Sequence, residues 1–555
     1  MTTHVPDIVV GIDFGTTASG IGYSIPSLKH FEVFEGLPYV ITQKDSDFKA
    51  SDNSAKTPSI LAYAEENPYL LEDTWGFYAE KHQKVVSWFK LFLDDDVDVH
   101  NWILDTKQWA GSRGINRLPD GKSPIDVLSD YLSFLRTLLW RRLQSIVLGY
   151  CRELQTMRIK FCFTVPGTWS EQAKHDMGLA INKAGFDSRD CDQICLLTEG
   201  EAAMNFALSN LGLDDERSAL KTGDGVVICD CGGGTIDVAS FLISEHSHFI
   251  YDELAQGSRF QEFKCQFTGY SGQGFFELEL AMAIPGRPNP EWYDQRNNVL
   301  ISNTDLKKLF EPALQMTIQT LADHINKTNL VKQGQTVINK ILLVGGFSFS
   351  PYLCREIQRC FPNILVIRNK KHALTAVTRG AVLWGLEKFQ QQSMFSPCHY
   401  GLRRFLPTDE AFNPRRSLVP ADFNLGGSTG PIEWMVKKGD HLRLNEPIQC
   451  HGLLLHGQGD SFIKTIDVHS SGSDRPPINI GKRVKSLAGT IHTMVLDLSM
   501  IDLNGCQISE QGGRYMHLIQ CTFYVQLGKS NGTLFFDAVC QNHHLAHWEM
   551  KAGII

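Results

Sequence analysis

The sequence predicts an α/β protein in which two lobes of related design are followed by a β-rich region. One observation is that a short apolar run ending in Asp, and then in a turn of Gly and Thr, occurs twice, within 8–17 and 226–237. A second is that predicted strands and helices alternate up to about residue 390, which indicates an α/β domain. A third is that helical stripes become rare beyond that point. A chain of 555 residues is too long for one ordinary core, so two or more domains are expected.

The first half of the chain opens with a predicted hairpin, followed by an irregular, aromatic and acidic stretch at 30–110. Leucines at close to 3.6-residue spacing predict a long helix at 124–153. Next come a strand ended by proline, a helix with Ser170 as its N-cap, and another strand. These three elements cover 158–166, 170–184 and 192–197.

The second half repeats this alternation. Its predicted strands are 226–231, 236–243 and 340–344, and its predicted helices are 305–327 and 374–389. A Gly-rich insertion at 269–274 and a loop at 285–290 interrupt the pattern. The last helix leads into the region where the composition changes.

The β-rich region covers 396–555 and alternates strands with Gly, Asn and Asp turns. Its clearest predicted strands are 491–498 and 516–527. Residues 527–540 are typical of a hairpin around Asn-Gly, although such hairpins are common in unrelated proteins. This region is therefore expected to form a separate domain.

The two Asp-Gly-Thr loops have the chemistry of a phosphate site. Glycine lets the main chain approach a phosphate and offer its N–H groups, and threonine hydroxyls add donors. An aspartate can hold Mg²⁺ through the water shell that this ion retains. Either loop alone could be an ordinary hairpin turn, because turns use the same residues. Their shared order in both halves predicts two lobes that close on a nucleotide from opposite sides.

A third segment supports this interpretation. Residues 340–351 are again a predicted buried strand, ending in Gly345-Gly346 and followed by Ser and Pro at a helix start. Two glycines at the end of a strand allow a flat nucleoside to approach the main chain closely.

These three segments resemble the phosphate-1, phosphate-2 and adenosine motifs of the actin, sugar-kinase and heat-shock-70 ATPase superfamily. The sequences of these motifs most resemble those of the 70-kDa heat-shock chaperones and, among them, the divergent, lid-poor branch called heat-shock protein family A member 12. The segment 197–203 is similar to the Glu-Pro-x-Ala-Ala connecting motif, with Gly200 in place of Pro. The segment 87–92 is similar to the one that carries an active-site lysine. The resemblance covers roughly residues 5–390 with specific motifs and the rest more faintly.

The resemblance implies a two-lobed actin-like (ribonuclease H-like) ATPase domain with a duplicated core, followed by a β-rich C-terminal domain. The nucleotide-binding domain is expected at 1–390, with lobe I at about 1–205 and lobe II at about 220–390. The β-rich domain at 396–555 resembles a lid-less substrate-binding domain, and 527–540 resembles a hairpin of the chaperones' β-sandwich. An acidic, Leu-rich linker and a helical lid are missing from the sequence, which argues against conventional chaperone allostery.

The resemblance also implies ATP or ADP and Mg²⁺ as ligands. Asp13 and Asp230 would hold the metal through water, Lys90 would lie beside the γ-phosphate, and Glu199 would orient the attacking water. The implied catalytic residues are thus Glu199, Lys90, Asp13 and Asp230. The residues implied to bind the nucleotide are Gly15, Thr16, Thr17, Gly232, Gly233, Gly234, Thr235, Asp237, Gly345 and Gly346.

Several of these residues have a structural alternative. Lys90 could be a surface lysine at a helix edge, and Glu199 could cap the helix that follows it. Asp237 could contact phosphate or be a turn residue at a strand end. Phe347 and Phe349 stand where the family has small and basic residues, which predicts a reshaped adenine side. Adenine preference is carried over from the family.

Composition limits the partners and the compartment. A formal net charge of −8 gives no support to nucleic-acid binding. No apolar run approaches the about 20 residues that span a bilayer, and the first residues do not resemble a signal peptide. Cysteines such as Cys229 and Cys231 lie in apolar strands, which favours buried thiols over a zinc site. We therefore expect a reducing compartment, cytoplasmic or nuclear, and no membrane partner.

Three functions remain open at this level. The first, implied by the family, is an ATP-binding protein with weak ATPase activity, in which lobe closure is coupled to client proteins and co-chaperones. The second is a nucleotide-binding scaffold that does not hydrolyse ATP. The third is a small-molecule kinase on the same fold, against which the β-rich region argues.

Overall fold

The computed structural model describes the residues given next, which make up most of the chain. They are 6–26, 39–41, 56–79, 84–94, 118–210, 219–232, 235–245, 250–260, 275–278, 299–331, 337–368, 372–386, 390–396, 398–403, 432–444, 446–471, 476, 489–511, 514–528 and 533–551. The chain divides into two compact units. The first comprises Met1–Trp169, Asp176–Phe249 and Leu254–Lys388, and the second Ser170–His175, Ile250–Glu253 and Phe389–Ile555.

The first half of the first unit is a mixed sheet with helices. Its strands are β1 (Ile8–Asp13), β2 (Ala18–Ser24), β3 (Tyr39–Ile41), β4 (Thr57–Pro58), β5 (Ile60–Ala62), β6 (Thr74–Trp75), β7 (Val86–Ser87), β8 (Ile159–Val165) and β9 (Gln193–Thr198). Its α-helices are α1 (Gly76–Ala79), α2 (Pro124–Leu148), α3 (Glu171–Lys183) and α4 (Glu199–Asn210), and Phe89–Leu93 and Leu154–Thr156 form 3-10 turns. The main sheet has the order β3-β2-β1-β8-β9, while β5, β6 and β7 form a small sheet of their own.

In the main sheet, β1 forms a hairpin with β2 and pairs in parallel with β8, which pairs in parallel with β9. All the residues of β1 and β8 are buried, because the sheet is covered on both faces. Their near-continuous apolar sequences are typical of such strands.

The second half of this unit contains a second sheet of similar connectivity. Its strands are β10 (Gly225–Cys231), β11 (Thr235–Glu245), β12 (Ile250–Phe260), β13 (Phe275–Leu278), β14 (Val299–Ser302), β15 (Ile338–Val344) and β16 (Leu365–Arg368). Its helices are α5 (Asn303–Val331), α6 (Pro351–Cys360) and α7 (Ala376–Gly385), with a 3-10 turn at Gly346–Phe349. The strand β10 forms a hairpin with β11 and pairs in parallel with β15, which pairs in parallel with β16.

Two helices connect these halves at very short range. In α7, a Cβ added at Gly380 would lie 1.7 Å from the carbonyl oxygen of Ala202 in α4. The same helix lies on the first sheet, where a Cβ at Gly11 would lie 2.7 Å from the carbonyl oxygen of Thr378. The helix α4 in turn meets the second sheet, since a Cβ at Gly200 would lie 2.7 Å from the Cβ of Ala239. Each of these helices therefore packs against elements from the other half of the chain.

The second unit is made mostly of antiparallel strands. They are β17 (Gln390–Phe395), β18 (His399–Arg403), β19 (Ile432–Val436), β20 (His441–Arg443), β21 (Ile448–Gly457), β22 (Ile463–Ser471), β23 (Gly489–Asp497), β24 (Gln507–Gln511), β25 (Arg514–Leu527), β26 (Thr533–Cys540) and β27 (His543–Lys551). One sheet has the order β19-β18-β22-β23, and another has the order β21-β25-β26-β27. Their inner faces share one apolar core, to which Leu402, Leu496, Phe523 and Phe536 belong.

The mixed α/β class predicted from the sequence is confirmed by these elements, and the described elements after residue 389 are strands and one 3-10 turn, at Leu503–Gly505. The predicted hairpin at 527–540 is present as β25 and β26, which pair from Leu527 with Leu534. The predicted helix at 124–153 ends at Leu148, because Gly149 forms the C-cap and the chain then turns. The predicted insertion at 269–274 and loop at 285–290 lie outside the described residues. Among the helices that the structure describes, none is long and apolar enough to cross a membrane.

Candidate functional site

The predicted site residues converge because parallel strands bring their carboxyl ends to one edge of a sheet. Asp13 ends β1 and lies opposite Thr164 of β8, while Thr198 ends β9 and leads directly into Glu199. In the second sheet, Asp230 lies opposite Val344, the last residue before Gly345. Such an edge is where open α/β sheets bind their ligands.

The first predicted phosphate loop is held by contacts from Ser59. The Ser59 hydroxyl donates to the carbonyl oxygen of Gly15 at 2.7 Å, and its backbone N–H donates to that of Thr17 at 3.0 Å. A Cβ at Gly15 would lie 2.3 Å from the carbonyl oxygen of Ala18. The tight turn therefore requires glycine here, and Thr16 beside it is buried.

Lys90 is a buried residue at the centre of the site. Its ammonium donates to the carbonyl oxygen of Phe14 at 2.7 Å and to Oε1 of Glu199 at 2.8 Å. The same nitrogen lies 5.6 Å from the ring centroid of Phe14 and 5.4 Å from that of Trp169, within the range of cation–π attraction. The alternative of a surface lysine is wrong, since only 4% of Lys90 is exposed.

Backbone strain and aromatic packing both fix the position of Lys90. Trp88, which precedes this 3-10 turn, has a left-handed φ of 63°, a rare value for a bulky residue. The ring of Phe89 stacks on that of Phe14 at 5.8 Å and lies 5.6 Å from that of Tyr131 in α2. This arrangement orders the turn so that the ammonium points into the cleft.

Glu199 is free of the capping role that the sequence allowed for it. The cap of α4 is formed by Glu201, whose carboxylate accepts from the N–H and hydroxyl of Thr198 at 2.8 and 2.9 Å. The Thr198 hydroxyl accepts from the N–H of Glu201 at 3.1 Å, which completes a capping box. The capping alternative for Glu199 is therefore wrong.

The charge on Glu199 is set by its surroundings. Burial raises the pKa of its carboxyl, and the neighbouring Asp237, Asp230 and Asp13 raise the pKa further, while Lys90 opposes them. A carboxyl surrounded by other carboxylates favours its neutral form unless additional positive charge is bound nearby. Binding of a cation in the site would therefore favour the ionised form of Glu199.

Lys56 is a site residue that sequence reasoning missed. Its ammonium lies 2.6 Å from Oδ2 of Asp13, and both side chains are largely buried. Burial alone would lower the pKa of this lysine, but the carboxylates around it raise the pKa above its usual value; these are Asp13, Asp230 and Glu199. No motif or periodicity in the sequence indicated it, because it reaches the site only through the pairing of the following strand, β4, with β2 beside the first loop.

Asp13 also accepts hydrogen bonds from two threonines on other elements. The hydroxyl of Thr164 in β8 is 3.5 Å from Oδ1, and that of Thr378 in α7 is 3.3 Å from Oδ2. Both hydroxyls are fully buried. Asp13 is therefore held in one orientation by the first sheet and by a helix from the second half of the chain.

The second predicted phosphate loop is described only in part. Gly232 is half-buried, whereas Gly233, Gly234 and the side chain of Thr235 lie outside the described residues. Asp237 lies directly opposite Asp230, inside β11 rather than at its end, so the alternative of a strand-terminal turn residue is wrong. A narrow cleft is lined by Gly167, Thr198, Gly200, Ile228, Asp230, Asp237, Val238 and Ala239.

The third motif approaches this cleft through Gly345. Its φ is +81°, and an added Cβ would lie 2.2 Å from Oδ1 of Asp230, so only glycine fits. After it, Ser350 caps α6 by accepting from the N–H of Leu353, which confirms the predicted helix start. Phe347 packs in the core beside Phe310, whereas Phe349 is exposed.

The nearby Cys229 and Cys231 are fully buried, with sulfurs 3.6 Å apart, and neither forms a disulfide. They are core residues, as predicted.

The assembled site is rich in carboxylate oxygens, has an excess of negative charge, and has glycines in the loops beside it. It brings together the carboxylates of Asp13, Asp230, Asp237 and Glu199 and the ammonium groups of Lys56 and Lys90. Carboxylate oxygens are the ligands that a hard divalent cation such as Mg²⁺ prefers. The donor set therefore fits Mg²⁺, with Lys56 as a competing partner of Asp13.

Comparison with known proteins agrees with the motifs. Heat shock 70 kDa protein 12A from Mus musculus is 22% identical over 531 residues, which cover 75% of this chain and 74% of that protein. The protein of the same name from Homo sapiens gives the same figures. Heat shock 70 kDa protein 12B from Homo sapiens is 22% identical over 528 residues, 72% of each chain. No protein-family model matches the chain. The resemblance carried by the motifs is confirmed: this chain is similar to members 12A and 12B of the 70-kDa heat-shock proteins.

Proposed function

We propose that the chain binds ATP with Mg²⁺ in this cleft and hydrolyses it slowly. The observation that carries the proposal is the buried pair of Lys90 and Glu199 at 2.8 Å, at the edge where the carboxyl ends of β1 and β9 meet. Burying an ammonium beside a carboxyl is costly, and a purely structural pair of this kind is often replaceable by apolar residues. A pair at the end of a glycine-rich loop, next to further carboxylates, suits phosphoryl chemistry.

The proposal includes a two-lobed, actin-like fold with a duplicated core. The repeated connectivity supports it, since β1, β2 and β8 are joined in the same way as β10, β11 and β15. The nucleotide-binding domain would extend to about residue 390, with its lobes divided between residues 205 and 220. By family resemblance, the β-rich residues 396–555 would bind client proteins or co-chaperones in the cytoplasm.

The chain's own residues have distinct roles in this proposal. Lys90 would balance charge at the transferred phosphoryl group, and Glu199 would orient the attacking water once additional cationic charge favours its anion. The loop at Gly15, Thr16 and Thr17 would donate to phosphate oxygens. Asp13 and Asp230 would hold Mg²⁺, which when bound supplies positive charge between the phosphates.

A second candidate function is nucleotide binding without hydrolysis. The ion pair of Lys56 with Asp13 favours it, because this ammonium already neutralises the carboxylate that would hold the metal. In such a scaffold, bound nucleotide would stabilise the fold by mass action alone.

The test is calorimetric binding of Mg-ATP, followed by single-turnover hydrolysis, for the wild type, Glu199→Gln and Lys90→Met. The ATPase proposal predicts binding by all three, with hydrolysis about 10²-fold or more slower in both variants. Binding with equally slow turnover in all three would select the scaffold. If the wild type does not bind ATP, both functions are refuted.

Lys340→Met is a matched control. Lys340 is also a buried lysine in an ion pair, with Asp224, but it lies near the amino end of β15, opposite Val226 of β10 and at the other end of the sheet from the cleft. Lys340→Met should lose stability to a similar extent as Lys90→Met while keeping the wild-type affinity and hydrolysis rate. A similar loss of hydrolysis in the two variants would mean that destabilisation, and not the site, explains the effect.

A further inference from the structure

A second cluster of metal-ligating side chains lies on the outer face of the β-rich unit. It consists of Asp537 in β26 and His544 and His547 in β27, whose ligand atoms all lie within 4.8 Å of one another. Oδ1 of Asp537 is 3.1 Å from Nε2 of His544 and 2.7 Å from Nδ1 of His547. The two imidazoles are about half exposed, so water and ions can reach them.

A β-bulge brings these histidines to the same face. Residues three apart in a regular strand point to opposite faces, because side chains alternate with a period of two. Here the register shifts, since Ala538 pairs with Ala546 but Val539 pairs with His544, which leaves Leu545 as the extra residue. Leu545 is buried in the core, and His544 and His547 on either side of it are exposed. Bulges commonly re-aim side chains in this way.

The position of His547 is supported by a neighbour outside the cluster. Its ring lies 5.2 Å from that of Phe535, which is two residues before Asp537 and on the same face of β26. The intervening Phe536 is buried in the core. This contact packs one face of the imidazole against an aromatic ring while its Nδ1 faces the carboxylate of Asp537.

The ligand chemistry identifies the class of ion. Two imidazole nitrogens and one carboxylate oxygen form a borderline-soft set that suits Zn²⁺ and not Mg²⁺ or Ca²⁺, which prefer oxygen only. Ligands bound to one Zn²⁺ at about 2 Å lie about 3 Å apart. The distances from Asp537 to the two histidines match this spacing.

We propose that Asp537, His544 and His547 form a zinc site with one position open to water. The ion would replace the hydrogen bond of Asp537 with His547 and its polar contact with His544, and it would join β27 to β26. Within the described sheet β27 pairs only with β26, so this contact would fasten an edge strand. The site is independent of the nucleotide cleft, because its residues all belong to the second unit.

The experiment is equilibrium dialysis of the full chain, stripped with a chelator and reduced, against ZnCl2. Wild type, His544→Ala, His547→Ala and Asp537→Asn would be compared. We expect the wild type to bind one zinc ion more per chain than each variant, or to bind that ion at least about tenfold more tightly. Equal zinc uptake by the wild type and both histidine variants would overturn the proposal, as would the absence of uptake by the wild type.

Two controls separate this site from others. His451→Ala removes a different exposed histidine, on β21 of the same sheet, and should leave the uptake unchanged. Exposed thiols such as Cys151, Cys191 and Cys360 also bind zinc, so Co²⁺ is used as a spectroscopic probe. The part of the Co²⁺ spectrum that is lost in His544→Ala should contain no thiolate-to-cobalt charge-transfer bands. If the lost part does contain such bands, the ion is bound by cysteine. Thermal unfolding in chelator confirms that each variant is folded.

Discussion

At the scale of single residues, the site is an unusual concentration of buried charge. The motifs predicted Lys90 and Glu199, and the structure brings them together. They did not predict Lys56, because a lysine before a two-residue strand has no periodic or motif signal. Its role depends on β4 pairing with β2, a contact between segments that the sequence pattern does not connect.

One prediction concerns the competition between Lys56 and a metal for Asp13. Replacing Lys56 by Met removes the ammonium but keeps the apolar stem, so the carboxylates should attract Mg²⁺ more strongly. We expect affinity for Mg²⁺, measured by calorimetry without nucleotide, to rise by about tenfold or more, since one close charge contributes at least about 1.4 kcal/mol here.

Lys122→Met is the control for this measurement. The ammonium of Lys122 lies 2.8 Å from Oδ2 of Asp130, and this ion pair is outside the cleft. This substitution should not change Mg²⁺ affinity. Unchanged affinity in Lys56→Met as well would show that Asp13 does not take part in metal binding.

Another prediction concerns the pH dependence of stability. Burial and neighbouring carboxylates raise the pKa of Glu199 from 4.5 to about 8 in the folded state. The native protein therefore holds this proton where the unfolded chain has lost it, and the free energy of unfolding falls as pH rises through that interval. In Glu199→Gln this decline should be weaker, so the variant gains stability relative to the wild type between pH 5 and about 8. Urea unfolding at several pH values measures the free energy of unfolding of both proteins. If the two free energies change with pH in parallel, the pKa of Glu199 is not raised in the folded state.

At the scale of elements, α4 and α7 hold the two halves of the first unit together. Gly380 of α7 touches the backbone of Ala202 in α4, where a Cβ has no space. Gly380→Ala should separate these helices and destabilise the protein by about 1–3 kcal/mol, despite the better helix propensity of Ala. Gly505→Ala, where nothing lies within 4 Å of the new Cβ, should change the free energy of unfolding little. Equal midpoints in urea for Gly380→Ala and the wild type would refute this contact.

The sequence predicted the existence of these elements better than their partners. Periodicity showed that 374–389 is a helix with a buried face, and the structure has it at Ala376–Gly385. It could not show that this helix lies on the first sheet, because a periodic apolar face does not specify what covers it. The glycines at 11, 20 and 380 that permit this packing have no local turn signature. Likewise, the bulge in β27 follows from pairing with β26 and not from the sequence of β27 alone.

At the scale of the whole molecule, the two units have separate apolar cores. All the described residues of the proposed nucleotide cleft belong to the first unit, and the apolar core around Phe523 belongs to the second. Calorimetry should therefore show two unfolding transitions, of which Mg-ATP raises only one. When the Mg-ATP concentration is about 100 times its dissociation constant, the free energy of unfolding of the first unit should rise by about 2.7 kcal/mol. A single transition, or an equal shift of both, would show that the units unfold together.

The bond from Thr378 to Asp13 has a consequence for synthesis of the protein. These partners are 365 residues apart, so β1 leaves the ribosome long before α7, the helix that covers one face of its sheet. At about 5–20 residues per second, the wait is roughly 20 to 70 s. During that time the apolar surface around Gly11 and Gly20 has no cover from this helix. A nascent chain halted before residue 376 should therefore aggregate unless a chaperone covers this surface, and light scattering of halted chains would measure it.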